Sequence, residues 1–193
     1  MKLHLGCGHK ILPGWLNIDA HTNEAELKED ISNLPMISDA SVRVIYSSHV
    51  IEHLHPFDFE KALKEWMRIM VPDGIIVLRC PNAEYHVREW LEASDEDRMN
   101  LSTGLRNSIL GHHKSYTEPG HIHQNLFTVG TLRRYLEKAG FVNVTAQTCA
   151  PMVTGVLEHI MTGGLDSPYR AANLPDSDLF AMAEKEGWDA RRA

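Results

Sequence analysis

The five residues His49-Val50-Ile51-Glu52-His53 put two imidazoles and a carboxylate close together, and His112, His113, His121 and His123 crowd a later stretch. Imidazole titrates near neutrality and suits general-base work on a hydroxyl. If the five residues are helical, positions i, i+3 and i+4 share a face. Two imidazoles could then hold a metal ion while the carboxylate polarises a water. A second group lies near the start of the chain. Leu3-His4-Leu5-Gly6-Cys7-Gly8 is a short apolar run opening into a glycine turn, where a ligand can reach bare backbone. Asn17-Ile18-Asp19 ends the next run with a carboxylate placed to accept two hydrogen bonds from a ribose diol. Asp30-Ile31 joins an acid that can take an adenine amino proton to a side chain that can pack the ring. A glycine pair alone also reads as an ordinary tight turn. A nicotinamide fingerprint would want a third glycine where Ile11 stands.

Other reactive side chains have blander readings. Cys7 lies between the two glycines with no visible base, so it reads as a small residue that fits the turn. His4 falls within the first strand and reads as a packed, hydrogen-bonded core histidine. Trp66, Met67 and Met70 belong to one helix face. Arg79, Arg88, Arg98 and Arg106 could recognise an anionic acceptor, although surface solvation is the commoner fate of such residues.

The elements that must position these groups follow from periodicity. Lys2–Leu5, Trp15–Asp19 and Val42–Ser47 read as strands, the last rich in β-branched residues. Phe59–Met70 carries apolar residues at three- and four-residue spacing and reads as a helix broken by Pro72-Asp73-Gly74. Ile75–Arg79 is a continuous apolar strand of the kind buried on both faces of a parallel sheet. Thr128–Ala139 is a second amphipathic helix with Gly140 placed to end it, and Phe141–Thr148 is the strand after it. Glu84–Gln124 is polar, shows no clear strand and holds the histidine cluster, so it reads as a helical insertion over an active site. Beyond Ala150 the pattern weakens, and Ser177–Gly187 reads as one helix. Strands alternating with helices predict an α/β fold: a doubly wound, mainly parallel sheet with helices on both faces.

Composition narrows the function. The chain has 193 residues, 43% hydrophobic and 23% charged, which suits one folded domain. A net charge of −7 argues against a protein that wraps nucleic acid, so no nucleic-acid partner is expected. Three scattered cysteines give no disulfide framework. The longest apolar run falls far short of the ~20 residues of a membrane span, and the N-terminus lacks the pattern of a secretion signal. The expectation is a cytoplasmic protein without membrane contact.

Taken in order, Leu3–Gly8, Leu12-Pro13-Gly14-Trp15-Leu16-Asn17-Ile18-Asp19, Asp30–Pro35, Ser48–Leu54 and Val71-Pro72-Asp73-Gly74 resemble the class I S-adenosylmethionine-dependent methyltransferases. The likeness covers residues 3–148 and is nearest to the small bacterial "type 11" branch. It implies a Rossmann-like sheet of seven strands, order 3-2-1-4-5-7-6, with strand 7 antiparallel. A methyltransferase-like domain would span 1–149, with an active-site insertion at 84–124 and a C-terminal extension at 150–193. Residue by residue, Leu5, Gly6, Cys7 and Gly8 would meet the methionine end of S-adenosylmethionine. Asp19 would hold the ribose, Asp30 and Ile31 the adenine, and Ser48 and His49 would sit beside the sulfonium. The chain departs from the family in two places. Only nine residues, His9–Asn17, separate the glycine turn from Ile18, so the first crossover helix is nearly absent. A seventh strand is not evident, Met152–Leu157 being its only candidate. A thinly covered sheet of this kind makes a homodimer the expected assembly.

The same resemblance gives the histidines a role. Some methyltransferases of small-RNA 2′-hydroxyls and of quinone-precursor phenols carry Glu-x-x-Glu-His and a later histidine, and these hold a divalent ion. His49-Val50-Ile51-Glu52-His53 with His123 is similar, and implies a metal set of His49, Glu52, His53 and His123. Imidazoles and one carboxylate favour zinc, manganese or iron over magnesium. The activity implied is methylation of a small-molecule or glycan hydroxyl, with His49, His53 or His123 as the catalytic base, directly or through the metal. Two alternatives stand beside it. One is a degenerate methyltransferase fold acting as a binding module. The other is a zinc peptidase, because His-x-x-Glu-His is also the inverted zinc-peptidase pattern.

Overall fold

The computed structural model of the chain describes residues 1–99, 109–111, 121–148 and 178–187. Six strands form one sheet: β1 (Lys2–Leu5), β2 (Leu16–Ile18), β3 (Val42–Ser48), β4 (Met70–Pro81), β5 (Phe141–Gln147) and β6 (Asp178–Lys185). Their order is β2-β1-β3-β4-β6-β5. The first four run parallel, and β6 lies antiparallel to both β4 and β5. This is the Rossmann-like α/β layout expected, with two differences of detail. The described residues contain no strand outside β2, where only a single bridge, Ile18 to Leu27, continues the sheet. The reversed strand is present, but it comes from Asp178–Lys185. The earlier candidate, Met152–Leu157, lies outside the described residues.

A helix over Ser177–Gly187 is therefore wrong. Leu179, Ala181 and Ala183 face the main core, and Phe180 and Met182 face the opposite side. A central strand buried on both faces shows no polar alternation, and its Ala, Leu, Met, Glu and Lys content resembles a helix. Pairing with β4 and β5 overrides that preference.

Four helices are described in full: α1 (Pro56–Ile69), α2 (Ala83–Glu92), α3 (Asp95–Met99) and α4 (Val129–Lys138). α1 begins earlier than its apolar spacing suggests because Pro56 fits a first turn and His55 caps it, its side chain accepting from Phe57 N–H. Met70, expected as the end of this helix, already belongs to β4. α1 buries Phe59, Ala62, Leu63, Trp66 and Ile69, while α4 buries Leu132 and Leu136. Both lie in the larger core, and Phe59 meets Tyr135 edge-on with ring centres 5.2 Å apart. Thr128 and Thr131 close a reciprocal capping box at the start of α4. α2 and α3 bear out the helical character of the expected insertion; residues 100–108 and 112–120 of it lie outside the described residues.

On the opposite sheet face, Leu12, Trp15, Val44, Tyr46, Val77 and Phe180 form a smaller cluster. The short first crossover is held by one amide. Asn17 Oδ1 accepts from Leu12 N–H at 2.9 Å and pairs with His4 Nδ1 at 3.0 Å, while its Nδ2 donates to the carbonyls of Leu12 and Trp15, each at 3.1 Å. These bonds press Leu12 and Trp15 onto the face that a crossover helix would cover. Burial lowers the pKa of His4 against the hydrogen bond that its Nδ1–H donates to Asn17 Oδ1, which keeps the ring neutral in the core.

α1 also fixes the loop that carries Asp30 and Ile31. Trp66 Nε1 donates to Ile31 O at 2.9 Å. Arg68 donates to the carbonyls of Leu34 and Ile37, each at 3.0 Å, and Glu65 accepts from Leu34 N–H at 2.7 Å. No helix among the described residues is long and apolar enough to cross a membrane.

Candidate functional site

A cleft of about 610 Å³ opens at the carboxyl ends of β1, β2 and β3. In open α/β sheets this is where ligands bind. It is lined by the glycine turn and its acids (Gly6, Gly8, Asp19, Asp30 and Ile31), here the glycine end, and by His49, Val50, His53, Leu54 and His121, here the histidine end, the two meeting where Val50 lies against Gly6. Six of the nine residues expected to bind cofactor are thus in one place: Gly6, Gly8, Asp19, Asp30, Ile31 and His49. Leu5 is instead fully buried in the main core, and Cys7 is buried with its thiol against Gly8 O at 3.5 Å. Burial, reinforced by Asp19, pushes the Cys7 thiol up to about 11, so it stays protonated and inert. Ser48 Oγ is buried with no hydrogen-bond partner.

The glycine end is built from backbone. Gly6 has φ +65°, and a Cβ there would sit 2.2 Å from Val50 Cγ2, so no other residue fits. Gly8 also lies in the left-handed region, and its N–H donates to Asp19 Oδ2 at 2.9 Å. Asp19 Oδ1 takes the N–H groups of His21 at 2.8 Å and Thr22 at 3.1 Å. Burial opposes the charge on Asp19, but these backbone donors outweigh it and hold the carboxyl below its usual range. Asp19 therefore both locks the turn and keeps a full negative charge facing the cleft. Asp30 accepts from Ser32 N–H at 2.8 Å and Ser32 Oγ at 3.0 Å, a local turn that leaves the acid at the rim. His9, Ala20, His21, Thr22, Val50 and Leu54 also wall the cleft, and sequence reasoning missed them. Only their adjacency to the glycine turn, to Asp19 and to His49 could have pointed to them.

The histidine end differs from its helical reading. His49 has φ +55° and directly follows β3, and only Ile51–His53 form a single 3-10 turn. The i, i+3, i+4 face on which the peptidase pattern depends does not exist here. His49 turns to two carboxylates: Nδ1 lies 3.5 Å from Glu52 Oε1, and Nε2 lies 3.5 Å from Asp178 Oδ2. Burial alone would lower its pKa, but Asp178 and Glu52 outweigh that and raise it to about 9. At neutral pH His49 is an imidazolium.

Glu52 is 2% exposed, and neither carboxylate oxygen has a hydrogen-bond partner. His49 Nδ1 at 3.5 Å is too distant for a full bond. Ligand atoms of Glu52, His53 and His123 lie within 4.8 Å of one another. The His53 and His123 rings meet edge-on at 4.9 Å. Segment 123–125 is laced to the turn: Gln124 N–H (2.8 Å) and Asn125 N–H (3.0 Å) donate to Glu52 O, and Gln124 Nε2 donates to His53 O at 2.9 Å. His53 Nδ1 faces Ile122 O at 3.3 Å. A carbonyl only accepts, so Nδ1 carries the proton and Nε2 the lone pair. Of the four expected metal ligands, three gather and His49 stands apart. His112, His113 and Arg106 lie outside the described residues. Arg79 is drawn inward to Asp178, donating through Nε at 2.8 Å, and does not await an anionic acceptor.

The sequence profile of the family described as "Methyltransferase domain" matches residues 6–146. No curated protein matches the chain significantly. Among solved structures, the chain is similar to a SAM-dependent methyltransferase from Archaeoglobus fulgidus, with 18% identity, TM-score 0.58, and 95% of this chain and 85% of that one covered. It is likewise similar to a SAM-dependent methyltransferase from Methanosarcina mazei, with 15% identity, TM-score 0.58, and coverage of 97% and 92%. The 1,6-didemethyltoxoflavin-N1-methyltransferase of Burkholderia thailandensis, solved with that compound and S-adenosylhomocysteine, matches at 16% identity and TM-score 0.53, with 96% and 70% covered. At these identities the likeness is one of fold.

Proposed function

The chain belongs to the methyltransferase-domain family, and from that premise we propose that it moves the methyl group of S-adenosylmethionine to a hydroxyl of a small molecule or glycan. The observation that carries this reading is the polarity of the cleft. The charged Asp19 and the glycine turn line the same cleft as His49, His53 and His121. The nucleoside would lie over Gly6 and Gly8 with its ribose on Asp19 and its adenine beside Asp30 and Ile31. The sulfonium would then point toward His49 and His53.

The acceptor oxygen attacks the methyl carbon in line with the C–S bond. That bond breaks with its electron pair on sulfur, leaving neutral S-adenosylhomocysteine. The protein's main contribution is to hold the two reactants at attack distance, which can supply ~7–11 kcal/mol of the barrier. The acceptor proton passes to an imidazole. His53 suits this, because its lone pair on Nε2 is fixed by the Nδ1–H bond to Ile122 O. His49 already holds its proton at neutral pH, so its contribution is a positive edge in the cleft wall rather than a base.

A metal-assisted version rests on a separate observation. The buried carboxylate of Glu52, which makes no hydrogen bond and only a 3.5 Å contact with His49, has His53 and His123 beside it and fits a divalent zinc, manganese or iron ion. Such an ion, when bound, would lower the pKa of an acceptor hydroxyl.

Incubation with S-adenosylmethionine labelled in its methyl group, against fractionated small molecules and glycans, tests the main reading. Label recovered in a methyl ether is expected. Label only on nitrogen or carbon would sink the hydroxyl acceptor. Elemental analysis of untagged protein addresses the ion: less than about a tenth of an equivalent of any transition metal, with transfer indifferent to a chelator, would remove it.

A further inference from the structure

Asp178 opens β6, far along the chain from every residue that walls the cleft. It is 8% exposed, and its Oδ2 accepts from both Nε and the terminal nitrogen of Arg79, a residue separated from it by 99 positions. The same oxygen lies 3.5 Å from His49 Nε2. His49 N–H in turn donates to Arg79 O at 2.9 Å. These contacts close a ring through β3, β4 and β6: backbone of His49 to backbone of Arg79, guanidinium of Arg79 to Asp178, carboxylate of Asp178 to the ring of His49. His49 sits in the left-handed region at φ +55°, a conformation that costs a non-glycine residue energy and persists only where its surroundings over-determine it. Its side chain is 42% exposed and forms part of the cleft wall, whereas neither Asp178 nor Arg79 does.

We propose that Asp178, oriented by Arg79, is a positioning residue that sets the His49 ring against the reacting end of the bound cofactor, so that the last strand completes the site. A simpler role would be to pin β6 to β4, since Pro81 and Asp178 are partners in that ladder. The two roles separate because a pin acts on stability whatever residue stands at 49, while positioning acts on ligand affinity only through His49. The inference rests on the cleft being the cofactor site.

The experiment is a double-mutant cycle on S-adenosylhomocysteine affinity, by calorimetry on the full chain, with Asp178→Asn, His49→Ala and the pair. Thermal melts of each variant run alongside. Asp178→Asn is expected to weaken binding roughly fivefold when His49 is present and less than about twofold in the His49→Ala background. Arg79→Gln should reproduce the loss, and Arg79→Lys should recover part of it. Equal weakening in both backgrounds, or a lowered melting temperature with unchanged affinity, overturns the proposal while leaving the cofactor site intact. No binding by the unsubstituted chain overturns both. Should Asp178→Asn fail to melt cooperatively, the Arg79→Gln and His49→Ala cycle decides on the same criteria.

Discussion

At the glycine end of the cleft, Asp19 takes three backbone N–H groups, and Asp30 takes an N–H and a hydroxyl from Ser32. Behind the histidine end, Oγ of Ser48 and Nδ2 of Asn125 are buried with no hydrogen-bond partner, and the oxygens of Glu52 have none either, only the 3.5 Å contact of Oε1 with His49 Nδ1. Buried polar groups are nearly always paired, and an unpaired one costs ~1–3 kcal/mol. The two ends therefore stand at different stages of completion. The first is braced by its own backbone donors before any ligand arrives, as the proposed nucleoside site requires. The second carries unmet hydrogen-bonding capacity that a bound acceptor or ion would satisfy. Preorganisation serves affinity at one end, and unsatisfied groups leave room for recognition at the other.

The sharpest way to break this contrast is at Asp19. Asp19→Asn removes the charge that a ribose diol would meet and weakens the lock on Gly8. Calorimetry should show S-adenosylhomocysteine bound roughly 100-fold more weakly, a loss of ~3 kcal/mol. A loss under about threefold would mean that the nucleoside lies elsewhere.

A smaller effect, of opposite character, is expected at the other end. Glu52→Gln replaces a buried carboxylate that makes no hydrogen bond by a neutral amide of the same shape, and removes its charge from beside His49. Chemical denaturation should find stability changed by less than ~1 kcal/mol in either direction, with S-adenosylhomocysteine affinity intact and methyl transfer lost only if an ion at Glu52, His53 and His123 takes part. A destabilisation above ~2 kcal/mol would show that Glu52 is already well paired and that the two ends do not differ as described.

The smallest effect concerns the scaffold beneath the glycine turn. Burial depresses the pKa of His4, so the folded chain resists a proton that the unfolded chain accepts. His4 therefore contributes a stability that is complete above the unfolded value of about 6.5 and lost as pH falls below it, at up to ~1.4 kcal/mol per pH unit. Urea melts between pH 7 and pH 5.5 should show this slope, and His4→Gln should flatten it. An unaltered slope would assign the acid sensitivity to other groups.

What could be read from the sequence was the local chemistry. The glycine turn and Asp19 each follow an apolar run that reads as a strand, so their place at strand ends was set by adjacent residues, whereas Asp30-Ile31 lies in a loop and was placed by the order of the motifs alone. Features that depend on distant partners were not legible. Asp178–Lys185 resembles a helix until β4 and β5 flank it. The pairing of Asp178 with Arg79 bridges two strands far apart in the chain. His49 could be placed on a helical face by spacing alone, but it has a positive φ and its ring lies between Asp178 and Glu52. The three-residue cluster of Glu52, His53 and His123 needed the backbone bonds from Gln124 and Asn125 to Glu52 O, which no periodicity records.

The place of β6 has a consequence for how the protein is made. Among the described residues it is the last strand, yet it fills the slot between β4 and β5, and β5 borders no other described strand. While the ribosome is still short of residue 178, β4 presents an open ladder and β5 has nowhere to dock. Such bare edges invite pairing with other chains. The growing polypeptide must therefore depend on chaperones or on speed until its final strand emerges. A message cut short before that point would yield a sticky and inert product rather than a weakened enzyme.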